Sequence, residues 1–234
     1  CPGNPGAWKR HAVYHKEVKA FRKATDDGGV MQQWRRENGE EHARYAAQTG
    51  EKYDELCAEG ARYASQQDTR RAARAFREAI ALRPDEPAAY FNLGAALSDS
   101  GHYVEAAQRY LEAKERRPVG SEYWAQATAA AFTMLVQKEC DEVAKPEWWN
   151  DEGLKALSAR VVGAAPNDAV ANNMRAMVLS GGAGDAWEVG LRSAAELREA
   201  ATHYERVAAL SPAPASKAEN ASFAGLCRIE AEAT

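Results

Sequence analysis

Apolar residues recur along the chain at spacings of three and four, and proline and glycine punctuate the segments between them. That is the period of amphipathic helices, and no segment sustains the period-2 alternation that a half-buried strand needs. The pattern predicts an all-α chain. From Ala7 to about Thr25, Val13, Val18 and Phe21 lie among Lys9, Arg10, Lys16, Lys19, Arg22 and Lys23, a basic helix that stops before Asp26, Asp27, Gly28 and Gly29. A second helix is predicted from Val30 to about Thr49, weakened at Gly39 by about 1 kcal/mol relative to alanine.

From Tyr53 onward the helices echo one another. Leu56 and Tyr90, Gly60 and Gly94, Tyr63 and Leu97, Ala72 and Ala106, Phe76 and Tyr110, Ala79 and Ala113, and Pro84 and Pro118 all stand 34 residues apart. Each unit reads as a helix carrying a glycine, then a helix carrying Ala-x3-aromatic-x2-Ala, then a proline that stops it. Gly60 and Gly94 suit a close helix crossing, with Ala72 and Ala106 at the matching site on the second helix. Gly101 suits the left-handed turn after the first helix of its pair. Trp124 and Thr128 continue the echo, but Pro166 falls 48 residues after Pro118, so "CDEVAKPEWWNDEG" predicts a longer first helix and a loop broken at Pro146. A fourth pair follows in "AVANNMRAMVL" and "SAAELREAATHYERVAALSP", where Ala200, Tyr204 and Pro212 repeat the spacing of Ala106, Tyr110 and Pro118. Ser193 with Glu196 predicts a capping box there, and Ser216 with Glu219 another at the start of a last helix that presents Phe223, Leu226, Cys227 and Ile229. The glycine-rich "GGAGDAWEVGLR" between the two helices of the fourth pair reads as a flexible linker.

This pattern resembles the tetratricopeptide repeat, most closely over Tyr53 to Pro118. The resemblance implies a right-handed helical solenoid of about four pairs, at residues 53–86, 87–120, 121–168 and 169–214, the last two degenerate. Two non-repeat helices precede it within 1–52, and a capping helix at 215–234 covers the final apolar face. It also implies that the first helix of each pair lines an inner groove. The helical phase of Gly60, Gly94 and Thr128 then places Asp54, Cys57, Phe91, Asn92, Asp99, Glu122, Gln126 and Phe132 on that lining, with small alanines between them. Such a surface suits a peptide or helix with apolar anchors, whose backbone the amides of Asn92 and Gln126 can hold.

The family's ligands include acidic chaperone tails held by a clamp of lysines, asparagines and an arginine. Here only Asn92 matches. Cys57, Ala61, Glu122 and Gln126 stand at the other clamp positions, and Asp54, Asp99 and Glu122 would repel an acidic tail. Such a tail is not an expected ligand.

Composition narrows the classes further. With 45% hydrophobic and 27% charged residues, a net charge of −4 and a pI near 5.8, the chain has no general nucleic-acid footprint. The basic helix at residues 7–25 is the one region of asymmetric charge, and its simpler reading is a solvated helix. Cys1, Cys57, Cys140 and Cys227 lie far apart with no C-x-x-C, the usage of a reducing, cytoplasmic compartment, with Cys1 as the lipidated first residue of a mature bacterial lipoprotein the alternative reading. His11 and His15 share a helical face but lack further ligands, so no metal or cofactor is expected. No nucleophile elbow, metal-binding helix or paired-carboxylate motif argues for catalysis. Trp148, Trp149 and Trp187 in the insertions read either as a secondary interface or as anchors that pin long loops. The function expected is that of a non-catalytic adaptor or scaffold that binds a protein or peptide. A substrate-recruiting part of a larger enzyme and an architectural subunit are its rivals.

Overall fold

The computed structural model describes residues 48–182 and 186–234. The chain divides into two compact units, residues 1–52 and 53–234. The expected basic helix, His11, His15 and nearly all of the second helix therefore lie outside the described residues. The second unit is helical from its first residue to residue 65 (α1). It continues with α2 (Thr69–Leu82), α3 (Pro87–Asp99), α4 (Tyr103–Glu115) and α5 (Glu122–Leu135), then a short 3-10 turn, Lys138–Cys140. The remaining helices are α6 (Asp151–Ala164), α7 (Ala169–Ser180), α8 (Ala194–Leu210) and α9 (Pro214–Ala233). From α2 onward each helix packs on the next, and α5 also meets α7 across the third and fourth pairs. The described residues contain no strand, and the unit is an all-α helical solenoid of the tetratricopeptide kind.

Local chemistry starts and stops these helices. The side chains of Asp68, Ser121, Asn150 and Asp168 accept from the backbone N–H groups of Arg71, Trp124, Gly153 and Ala171, which have no partner inside their helices. Ser193 and Glu196 form both halves of the expected capping box. At Gly101 the backbone has φ +78°, the left-handed conformation the sequence called for.

Glycine also sets how closely the first four helices approach. A Cβ built on Gly60 would stand 2.6 Å from the Phe76 ring, and one on Gly94 would stand 2.9 Å from the Tyr110 ring. Ala72 and Ala106 are fully buried beside these rings. The aromatic of the second helix, rather than its alanine, therefore fills the space each glycine vacates. In the fourth pair Ala176 clusters with Ala200 and Tyr204 in the same arrangement.

Two expectations are corrected. The first helix of the third pair does not absorb the extra chain: α5 has 14 residues against 13 for α3, and the added length lies in the 3-10 turn and the loop to Asn150. Lys145 explains the stop, because its ammonium donates to the carbonyls of Leu135 (2.7 Å) and Cys140 (2.8 Å), which a continuing helix would have used. The last helix begins at Pro214 and has no side-chain cap; Ser216 bonds to Ser211 instead of capping. That helix seats Asn220, Ala224, Cys227 and Ala231 against α8, while Phe223, Leu226 and Ile229 stay exposed. It covers one apolar face and presents another.

Candidate functional site

The expected lining residues fall into two groups. Asp54, Asp99 and Glu122 are exposed, and Cys57, Phe91, Asn92 and Gln126 are half-buried. Burial pushes the Cys57 thiol up from its ordinary value. The Phe91 ring meets Tyr110 edge-on at 5.2 Å, so only part of it is available to a ligand. Burial and the nearby Asp99 carboxylate push the Tyr110 hydroxyl up to about 12.

Phe132 does not belong to that lining. It is fully buried, with its ring 5.6 Å from Trp149 and 5.9 Å from Trp187. Residues of the two insertions cover the position. Nor do the tryptophans form a free secondary surface. Trp187 is buried, Trp148 and Trp149 are half-buried, and the Trp149 indole N–H donates to the Ala186 carbonyl at 2.8 Å. Lys145 and Lys114 stand over the rings of Trp149 and Trp148.

The ends of the glycine-rich segment are held as well. Arg192, its side chain 6% exposed, makes a two-point contact to Asp151 at 2.6 and 2.9 Å and donates to the Val178 carbonyl. Lys155 joins Asp151 to Glu196 at 3.1 and 2.7 Å. The Arg192 guanidinium, aided by Lys155, holds the Asp151 carboxyl well below the usual carboxylate range. The described residues 186–192 are therefore anchored, where the sequence predicts a free linker.

What the sequence reading missed is a cleft of about 610 Å³ at the carboxyl-terminal end of the stack, between α7 and α9 with α8 as its floor. Its apolar walls come from Val170, Met177, Phe223 and Leu226, and its floor from Tyr204 and Val207. Val170, Phe223 and Leu226 are 42%, 42% and 58% exposed, an unusual concentration of large apolar side chains in water. The Tyr204 and Phe223 rings pack 5.4 Å apart and fix one wall.

A sequence signal for this cleft existed. Gly94, Thr128 and Ala176 each stand ten residues after a proline: Pro84, Pro118 and Pro166. Positions 4, 7, 11 and 14 after Pro118 include Glu122 and Phe132, which the phase argument chose. Carried to Pro166 and Pro212, the same rule gives Val170, Asn173, Met177 and Ser180, then Ser216, Glu219, Phe223 and Leu226. All eight line the cleft. The helix taken for a cap has the lining pattern of a first helix.

Among the described residues, no group of His, Cys, Asp and Glu could hold a metal ion, and Cys57, Cys140 and Cys227 are free thiols. No helix among them is long and apolar enough to cross a membrane.

Comparison with known proteins agrees with the architecture. Residues 60–101 match the family model described as TPR repeat. No curated protein matches. Among solved structures, the crystal structure of the MamA protein superposes with a TM-score of 0.50 at 16% identity, covering 78% of this chain and 87% of that one. That of YrrB, titled a TPR protein with an unusual peptide-binding site, gives 0.47 at 20% identity, covering 75% and 79%.

Proposed function

Because this is a tetratricopeptide-repeat protein, we propose that it works as a non-catalytic adaptor that receives a segment of a partner protein on the lining formed by the first helix of each pair. The observation that carries this reading is the α7–α9 cleft, whose lining follows the same helical phase as the expected groove residues. Farther along the stack, the side chains of Asn92, Asp99, Glu122 and Gln126 make no hydrogen bond or ion pair to a described residue, which leaves them available to a peptide backbone. Asp54, Cys57 and the exposed part of Phe91 complete that stretch, whereas Phe132, Trp149 and Trp187 serve the core. Binding energy would come from several modest contacts on a preformed surface, with the apolar side chains of the cleft as the anchor.

The test is capture of partners from native lysate by the full chain and by a Phe223→Ser/Leu226→Ser variant of equal melting temperature. A specific partner lost only from the variant supports the reading. An identical set of partners from both moves the binding surface away from the cleft.

A further inference from the structure

We propose that the α7–α9 cleft takes an amphipathic helix of a partner protein, one that carries apolar side chains in its central turns and lysine or arginine near both ends. This rests on the adaptor reading above and specifies its ligand.

The helical form follows from spacing. On α9, Ser216, Glu219, Phe223, Leu226, Glu230 and Ala233 are separated by 3, 4, 3, 4 and 3 residues. All except the half-buried Ser216 are exposed. Such a 3–4 row is the seam along which one helix packs lengthwise on another. Across the cleft, α7 presents Val170, Asn173, Met177 and Ser180 at the same kind of spacing. Two facing rows with this period make depressions once per helical turn, which side chains at i, i+3 or i+4, and i+7 of a third helix can enter. An extended segment would need backbone partners instead. The cleft offers few, since the Asn220 amide already donates to Ser216.

The charge pattern follows from the ends of the row. Phe223 and Leu226 form its centre, and Glu219 and Glu230 flank them, 11 residues or about 16 Å apart along the helix. Both carboxylates are exposed and line the cleft, and neither makes an ion pair with a described residue. No lysine, arginine or histidine is among the residues that line it. The nearby Arg228 is engaged by Glu205. A ligand with basic ends meets two unneutralised carboxylates, and one with acidic ends meets two like charges.

The experiment is selection from a displayed library of random 18-residue peptides, run against the full chain, against Glu219→Lys/Glu230→Lys and against Phe223→Ser/Leu226→Ser, all matched for melting temperature. The expected pool on the wild-type chain carries basic residues 10 to 12 positions apart, flanking apolar residues at helical spacing. Its best member should lose at least fivefold in affinity when those basic residues become glutamate, and Glu219→Lys/Glu230→Lys should invert that preference. A pool that needs Phe223 and Leu226 but shows no basic bias overturns the proposal and leaves the adaptor reading standing. Enrichment no better on the wild-type chain than on Phe223→Ser/Leu226→Ser overturns both.

Discussion

The indole N–H of Trp149 donates to the backbone carbonyl of Ala186 across 37 positions of sequence, tying the loop after α5 to the segment between α7 and α8. The ring also meets those of Phe132, Trp148 and Trp187, so the bond closes an aromatic cluster built from both insertions. Trp149→Phe keeps an aromatic ring in the cluster but loses the donor and part of the ring volume, and it should cost about 1 to 2 kcal/mol. Trp149→Ala removes both and should cost about 3 kcal/mol. Thermal melts give the ordering, and native-state proteolysis should show faster cleavage within 186–192 for the alanine variant alone.

Acid should weaken the same region. Hydrogen bonding to Arg192 depresses the Asp151 carboxyl, and hydrogen bonding to Lys155 brings Glu196 down to about 2. Folded values below the unfolded ones, near 4, mean that both groups stabilise the fold fully above that range. Their contribution is lost as the pH falls from about 5 to about 2. Urea midpoints measured from pH 7 to pH 3 should fall in that window, and Asp151→Asn should remove much of the slope. At neutral pH that substitution leaves the buried Arg192 without its counter-charge, at a cost of about 3 kcal/mol. A wild-type midpoint unchanged down to pH 3 would contradict the account.

Gly94→Leu places a side chain where even a Cβ would stand 2.9 Å from the Tyr110 ring. Overpacking of this kind should cost about 1 to 3 kcal/mol, a fall of several degrees in Tm for a unit of this size. Gly101→Ala meets no neighbouring atom and tests backbone strain alone, for which about 1 kcal/mol is expected.

Binding and stability should separate along the lining. Asn92→Ala and Gln126→Ala should leave the stability within about 0.5 kcal/mol of wild type while weakening partner capture. Phe132→Ala should cost about 3 to 5 kcal/mol through the cavity it leaves, and any loss of binding would follow from that. Titration of each purified variant with one captured partner resolves the two effects.

How much of this was legible in the sequence depended on the range of the interaction involved. Gly101, Ser193 and Glu196 act within a turn of their own position, so residue identity and spacing sufficed there; the same spacing at Ser216 and Glu219 gave no cap because Pro214 starts the helix ahead of it. The crossings at Gly60 and Gly94 were legible because the repeat itself reports which helices meet. Phe132 was misread because its burial depends on Trp149 and Trp187, which arrive from insertions with no counterpart in the repeat. The end of α5 depended on Lys145 reaching back ten residues to the Leu135 carbonyl, an event no helical period records. The cleft was missed for a different reason. Its pattern was present after Pro166 and Pro212, but α9 was read for what it should cover rather than for the face it turns to water.

The contacts of Arg192 also give the stack a mechanical consequence. In an array whose helix pairs touch only their neighbours, a pulling force passes through every junction in series, and the weakest opens first. The Arg192–Asp151 contact and the Trp149–Ala186 bond run in parallel with the junction between α6 and α7, sharing its load. Under tension the third and fourth pairs should therefore yield together as one block, after the glycine-set junctions of the first two pairs have already come apart.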